Sequence, residues 1–221
     1  MRRATGFIMN RKTWQLIGSA MVMACGALVA APALIGGTNR LTVVPESSSV
    51  TIKVGKTGAL SFAGHTHEIL APAVSGTVIV DEADPSRSSV SLEFKAAFLR
   101  VSGVGEPPAD VPKVQETMLG PRVIDAARFP IVSFRSSRVV VVARSADGAD
   151  LRIEGEVTLH GVKRALTLPV HVTLAPDGTM TARGSFQVRQ SEYGIKPVTA
   201  AGGAVRVKDE LDVRFVLTAG R

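Results

Sequence analysis

Apolar and polar residues alternate in short segments along the chain from Leu41 to Leu217. A period of two residues is typical of a β-strand with one packed face and one solvated face. The alternation predicts strands near residues 50–54, 58–63, 74–81, 88–99, 131–143, 150–159, 164–174, 179–190 and 204–218. No long amphipathic helix separates them, which argues against a parallel α/β sheet and favours an all-β, antiparallel barrel or sandwich.

The same alternation assigns an apolar face to each later strand. A slip of one residue would turn each apolar set to water, so the register should be firmly fixed. The His160-Gly161 pair predicts a tight hairpin, and Asp147-Gly148 and Pro176-Asp177-Gly178 predict further turns. The predicted inward residues are Leu151, Ile153, Val157, Leu159, Leu166, Leu168, Val170, Val172, Leu174, Met180, Ala182, Phe186, Val188, Val205, Val207, Leu211, Val213, Phe215 and Leu217.

One segment, from Gly103 to Asp125, interrupts the strand pattern. Pro107 and Pro108 exclude a central strand there. Residues 112–119 predict two turns of helix, with Pro112 near the start and Gly120 at the end. Such an insertion forms either a lid over one end of a barrel or a plain crossover connection, and the sequence favours neither.

Residues 1–35 have the features of a secretory segment, with basic residues up to Lys12 followed by an uncharged tract from Trp14 to Ile35. Cleavage after Ala33, lipidation at Cys25 after cleavage, and retention as an anchor through residues 14–35 all stay open. Each outcome places the following domain outside the cytoplasm, in the periplasm or cell envelope. The predicted organisation is therefore a signal peptide or N-terminal membrane anchor over 1–35 and one domain over 41–218.

Composition narrows the function classes. The 221-residue chain carries a net charge of +7, but removing residues 1–33 leaves 22 basic and 19 acidic residues. That balance does not suggest nucleic-acid binding. Hydrophobic residues make up 45% of the chain and aromatic residues only 5%, so the interior consists mainly of aliphatic side chains. The single Cys25 excludes an internal disulfide framework.

Few residues suggest catalysis or metal binding. His65 and His67 would point the same way on a strand, which could begin a metal site, but Glu68 would face the opposite side. No HExxH motif, paired cysteines or nucleophile elbow is present, and Glu154 and Glu156 fit a solvated strand face. We therefore predict no catalytic residues, no metal and no cofactor. A metal-dependent hydrolase using His65 and His67 is retained as an alternative.

The inward positions suggest a container. An eight-stranded barrel is just wide enough either to be filled by side chains or to hold one small ligand. Many of the predicted inward residues are Ala, Val or Gly, and such small apolar side chains would leave space for an apolar guest. Periodicity alone does not separate this arrangement from a solid-core structural or stress protein of the envelope.

Several motifs, in order, resemble a known family. They are residues 76–81 followed by Ser88-Ser89-Val90, DAARFPIVSFRS (125–136), GEVTLHGVKR (155–164), EYGI (192–195) and VKDEL (207–211). Together they resemble the YceI-like family of polyisoprenoid-binding and other lipid-binding proteins, over about Leu41 to Leu217. Residues 103–121 depart from the family pattern, and Gln190 stands where an arginine is usual.

The resemblance implies a single extended, lipocalin-like antiparallel β-barrel with a short helix or loop insertion near one end. It also implies an apolar cavity for a long isoprenoid or acyl lipid, export from the cytoplasm and, in some members, a homodimer. On this basis the expected ligand-binding residues are Phe62, His65, His67, Phe94, Met118, Leu119, Phe134, Phe186 and Tyr193.

Overall fold

The computed structural model describes residues 38–59, 66–72, 74–146 and 148–221. In these residues there are twelve strands and one α-helix, α1. The strands are β1 (Thr38–Val43), β2 (Ser49–Thr57), β3 (His67–Leu70), β4 (Ser75–Asp81), β5 (Ser89–Lys95), β6 (Arg100–Val101), β7 (Ile131–Arg144), β8 (Gly148–Leu159), β9 (Val162–Leu174), β10 (Met180–Arg189), β11 (Thr199–Ala200) and β12 (Val205–Gly220). The helix α1 spans Val111–Leu119.

Eight composite strands account for the sheet apart from β11, a two-residue strand that pairs with β12. Strands β1 and β2 form one bent strand with a 3-10 turn at Pro45–Ser47, and β5 and β6 form another with a 3-10 turn at Ala96–Phe98. Strands β3 and β4 form a third, because β1 pairs with β4 while β2 pairs with β3. Strands β7, β8, β9, β10 and β12 complete the set, and consecutive composite strands pair antiparallel.

The last strand closes the sheet on itself. Strand β12 pairs with β10 over ten residue pairs, from Met180–Ala219 to Arg189–Glu210. On its other edge β12 pairs with β2, for example Phe215 with Val50, and then with β1, where Val43 lies opposite Ala219. This up-and-down barrel is lipocalin-like, and its closure pairs strand edges that would otherwise be exposed.

Helix α1 lies beside β6, the short end of a bent strand. The side chain of Gln115 accepts a hydrogen bond from the backbone N–H of Val101 (2.8 Å) and donates one to the carbonyl oxygen of Leu99 (2.8 Å). One amide side chain therefore pairs with backbone groups as a neighbouring strand would. Met118 on the same helix packs in a cluster with Ile69, Ala71, Leu99 and Val101.

The two ends of the barrel differ. We call the end that carries α1, the hairpin at residues 160–161 and the turn at 190–195 the helix end. The opposite end, which carries the turns 82–88, 145–148 and 175–179, is called the turn end.

The hairpin at the helix end has positive φ at His160 (51°) and Gly161 (73°), the conformation of a type I′ turn. The ring of Phe129 lies 4.5 Å from that of His160, and a Cβ added to Gly161 would lie 2.5 Å from a Phe129 carbon, so the hairpin needs glycine.

The all-β, antiparallel barrel predicted from the alternation is confirmed, and the predicted helix over 112–119 is present as α1. Three strand predictions need correction. The predicted strand 88–99 ends at Lys95 because a 3-10 turn follows it, and the predicted strand 179–190 ends at Arg189 for the same reason. The predicted strand 58–63 begins wrongly, because β2 runs to Thr57 and Gly58, with φ of 106°, turns the chain.

Other sequence predictions fall outside the described residues. The predicted signal peptide or anchor over 1–35 lies there, as do residues 60–65. In the part of the chain that the structure describes, no helix has the length and apolar character needed to cross a membrane.

The two hydrogen bonds of Gln115 lead to a prediction about stability. The substitution Gln115→Ala would leave a backbone N–H and a carbonyl beside the buried Val101 and Leu99 without their partner. We expect it to lower the free energy of unfolding by about 2 kcal/mol, since each unpaired buried group costs about 1–3 kcal/mol and part of this cost is relieved by relaxation. Urea denaturation measures the change. Glu116→Ala, on the exposed face of the same turn, is the control, and an equal loss in both variants would contradict the assignment.

Candidate functional site

A cavity of about 1120 Å³ runs inside the barrel from one end to the other. Its wall includes inward side chains of every composite strand, and most of them are aliphatic. Protein interiors normally contain few voids larger than a water molecule, whereas ligand pockets measure about 300–1,000 Å³. This interior is therefore open at the scale of a ligand. Representative wall residues are Leu41, Ile52, Val78, Leu92, Ile153, Leu168, Ala182 and Val213.

Two aromatic rings lie over glycines of the wall. A Cβ added to Gly155 would lie 2.7 Å from the Phe134 ring, and one added to Gly184 would lie 2.5 Å from the Phe215 ring. Each ring thus occupies the place where a neighbouring side chain would stand, as in the aromatic rescue of glycine in sheets. Phe186 packs near Phe215, with ring centroids 6.3 Å apart. Because Phe134 and Phe215 are held against the wall, the centre of the barrel is left open.

The helix end of the cavity carries a buried acidic side chain. Glu106 lines the cavity with its side chain only 1% exposed, and Nδ1 of His67 lies 2.9 Å from its Oε1. The contact does not have hydrogen-bond alignment. Nδ1 of His67 and both carboxylate oxygens of Glu106 are buried without a hydrogen-bond partner among the described residues. The alternation-based strand analysis placed Glu106 in a loop and gave no sign of this pair.

Tyr193 closes another part of the helix end. It ends a 3-10 turn over Gln190–Tyr193 and is 2% exposed. The amide of Gln190 donates to the carbonyl of Lys208 (2.8 Å), and the hydroxyl of Ser191 donates to Asp209 (2.6 Å). The Ser191 hydrogen bonds lower the pKa of Asp209 from its usual value. Burial, reinforced by the charge of Glu192, raises the pKa of the Tyr193 phenol.

The turn end also contains a buried acid, but one with partners. Asp81 is 5% exposed and accepts a hydrogen bond from the backbone N–H of Asp84 (2.9 Å). The guanidinium of Arg87 lies 3.4 Å from its other oxygen. Asp81 therefore holds the turn between β4 and β5. The two ends of the cavity thus differ in how their buried carboxylates are satisfied.

The structure brings most of the sequence-predicted ligand-binding residues to the cavity. Leu119 instead packs against the cluster that contains Met118, outside the cavity wall. Phe62 and His65 lie outside the described residues. A ligand-binding role for any of these side chains stays a prediction. The predicted residues that line the cavity are His67, Phe94, Met118, Phe134, Phe186 and Tyr193.

Many wall residues were not among the predicted ligand-binding set, and two of them, Phe215 and Glu106, differ in whether the sequence could have indicated them. Phe215 lies on the predicted apolar face of β12, two residues from both Val213 and Leu217. This alternation could have indicated that its side chain lines the cavity. Glu106 had no such signal, since it follows two glycines in a segment without periodicity. The described residues contain no group of three or more histidine, cysteine, aspartate or glutamate side chains arranged to hold a metal.

The order and pairing of the strands agree with the comparison to known proteins. The family model of the YceI-like domain matches residues 41–219. The chain belongs to the YceI-like family. No curated protein matches it by sequence. The matched residues include both ends of the cavity and all of α1.

Solved structures with the same fold extend this comparison. The structure of BcnA from Burkholderia cenocepacia is similar with a TM-score of 0.63 at 20% identity, covering 80% of this chain and 99% of that one. A polyisoprenoid binding domain from Saccharophagus degradans, described as implicated in plant cell wall breakdown, gives 0.58 at 14% identity, covering 81% and 97%. A YceI protein from Campylobacter jejuni gives 0.51 at 14% identity, covering 67% and 81%. At these identities the similarity establishes the fold.

Burial of Tyr193 predicts how the phenol ionises. Tyr193 is the single tyrosine of the chain, so the absorbance of tyrosinate measures it alone. In the folded protein we expect its midpoint above the ordinary value of about 10, and in urea a midpoint near that value. The raised pKa favours the neutral phenol. The stability it contributes is therefore complete below pH of about 10 and is lost as the pH rises through the folded pKa. Identical midpoints in the two states would refute a buried phenol.

Proposed function

We propose that this protein binds a long apolar lipid, such as an isoprenoid or acyl chain, inside its barrel and thereby sequesters or carries it. The observation that carries the proposal is the continuous cavity of about 1120 Å³ with an aliphatic wall. A solid-core structural protein would not retain such a space, since ordinary cores are packed to crystal density. The open interior therefore favours a container over a structural envelope protein.

Burial of the chain would supply the binding energy. Each methylene group removed from water contributes about 0.8 kcal/mol, so ten methylenes contribute about 8 kcal/mol before the cost of ordering the chain. A cavity wall of valine, leucine and isoleucine provides no competing polar surface along most of its length. We expect the aromatic residues Phe94, Phe134, Phe186 and Phe215 to contact the bound chain.

The known relatives support the same class of ligand. The Saccharophagus degradans domain with this fold is described as polyisoprenoid-binding. The motif order that identifies the family spans nearly the whole barrel, which makes a shared binding mode the simplest inference. We therefore favour binding over the alternative of a metal-dependent hydrolase at His65 and His67. His67 lies beside Glu106, and His65 lies outside the described residues.

The proposed place of action is outside the cytoplasm. The support is the basic and then uncharged sequence of residues 1–35, which has the order of an export segment. Attachment to the membrane through residues 14–35 is one of the three outcomes left open, beside cleavage after Ala33 and lipidation at Cys25. A homodimer, which some members form, stays a prediction from the family resemblance.

Filling the cavity should weaken binding without unfolding the protein. Ala182 lies on β10 with its side chain in the cavity wall, and tryptophan there would occupy the space of the lipid. We expect Ala182→Trp to weaken binding of a long-chain fluorescent fatty alcohol by about tenfold or more. Its unfolding free energy should fall by less than the 1–3 kcal/mol that overpacking a solid core costs. Fluorescence titration and urea denaturation measure the two effects.

The matched control is Ser185→Trp, which places the same side chain on the exposed face of the same strand. It should bind as the wild type does. Native mass spectrometry of gently purified wild-type protein provides an independent measurement, in which we expect a bound mass of lipid size. A protein that carries no such mass and binds no added long-chain lipid would overturn the proposal.

A further inference from the structure

Glu106 is a buried carboxylate at the helix end of the cavity. Its side chain is 1% exposed, it lines the cavity, and neither oxygen has a hydrogen-bond partner among the described residues. Asp81, the buried acid at the turn end, accepts a backbone hydrogen bond and lies beside an arginine. Among the described residues, Asp81 therefore has a hydrogen-bond donor, whereas Glu106 has only the close contact with His67.

The loop before α1 is built to place Glu106 inside. Gly103 and Gly105 have φ of 76° and 77°, a left-handed conformation that residues with a side chain seldom adopt. A tight turn follows, in which the backbone N–H of Glu106 lies 3.3 Å from the carbonyl oxygen of Gly103. Exposed Pro107 and Pro108 then lead the chain outward to α1. The neighbours of Glu106 thus lie at the surface, while Glu106 itself is buried.

The neighbouring imidazole is unsatisfied in the same way. Nδ1 of His67 lies 2.9 Å from Glu106 Oε1, but it is buried without a hydrogen-bond partner in the described chain. Unpaired buried polar groups are costly and uncommon in native proteins. Two such groups side by side, facing a ligand-sized cavity, have the arrangement of a site whose partner is a ligand. A carboxylate accepts hydrogen bonds, and an imidazole nitrogen either donates or accepts one.

We propose that Glu106 and His67 form a subsite for the head group of the bound lipid, and that this head group is neutral and carries an O–H or N–H donor. The inference rests on the proposed lipid binding and specifies its polar end. A hydroxyl group fits the pair because it donates to the Glu106 carboxylate and accepts from His67. The chain then extends from the helix end along the aliphatic wall toward the turn end.

The surrounding charges favour this class of head group. Asp110 and Lys113 also line this end of the cavity, but both are exposed, so water screens their opposite charges. The charge of Glu106 is buried and would repel a phosphate or carboxylate head group at close range. An ether oxygen or a plain hydrocarbon would leave the Glu106 oxygens unpaired. A donor-bearing neutral group avoids both penalties.

Three ligands with the same fourteen-carbon chain test the head-group class: tetradecan-1-ol, its methyl ether and tetradecanoate. Displacement of a fluorescent long-chain hydrocarbon from the full barrel measures each affinity. We expect the alcohol to bind wild-type protein about tenfold or more tightly than the ether or the acid, because sites built to pair a hydroxyl reject analogues that lack it. Equal affinities for the three would overturn the subsite while leaving lipid binding intact. No displacement by any of them would instead count against the proposed function.

Variants of Glu106 connect the selectivity to this side chain. Glu106→Leu should abolish the preference for the alcohol over the ether, and Glu106→Gln should raise the affinity for tetradecanoate because the negative charge is gone. Glu82→Leu and Glu82→Gln are matched controls, since Glu82 lines the opposite end of the cavity and is exposed. Both should retain wild-type selectivity. Selectivity that survives in the Glu106 variants would overturn the proposal.

The unfolding temperature distinguishes a ligand-binding role of Glu106 from a structural role, because the two roles predict opposite changes. Removing an unsatisfied buried carboxylate should keep or raise the unfolding temperature of the lipid-free protein, whereas removing a structural contact would lower it. A lower unfolding temperature in both Glu106→Leu and Glu106→Gln would contradict a ligand-facing role. Tight Zn²⁺ binding to wild-type protein that is lost in both Glu106→Gln and His67→Ala would also overturn the proposal, by identifying the pair as metal ligands.

Discussion

Closure of the sheet by β12 is the constraint on which the other features depend. This strand pairs with β10 along one edge and with both halves of the first bent strand along the other. A sheet closed at eight strands has a fixed radius, and its interior is then only as full as its inward side chains make it. The paired backbone fixes the radius of the barrel, and the volumes of the inward side chains therefore determine how much of the interior stays open.

The wall achieves an open interior by two means. Most inward positions carry branched aliphatic side chains, which are too short to meet across the barrel. The large rings of Phe134 and Phe215 lie over glycines, so their bulk covers a gap in the wall. A side chain at Gly155 or Gly184 would push these rings toward the centre. Two glycines in the middle of strands, which weaken a sheet in themselves, thus help to keep the space that the ligand needs.

The sequence was informative wherever structure depends on local alternation, and uninformative where it depends on distant contacts. Strands β8 to β10 follow the period of two, and the inward residues of β8, such as Ile153, lie where it placed them. In β7 a bulge between Ser136 and Arg138 shifts the inward positions by one residue. Strand β1 was not predicted at all, since the first predicted strand began at residue 50. The bend between β5 and β6 escaped prediction because a 3-10 turn of three residues leaves the alternation nearly unbroken. The pairing of His67 with Glu106 joins residues far apart in sequence through a loop shaped by two glycines, and no periodicity encodes that approach.

The bent strands divide the barrel into two unequal sides. Between β7 and β10, long hairpins are held by ladders such as the twelve residue pairs of β8 with β9. On the other side, β3 pairs with β6 through only two residue pairs, and with β2 through four. Local opening of a protein begins where few backbone hydrogen bonds must break together. Amide protons should therefore exchange with solvent earlier around β3 and β6 than around β8 and β9. The part of the barrel next to α1 would then open locally before the rest of the fold.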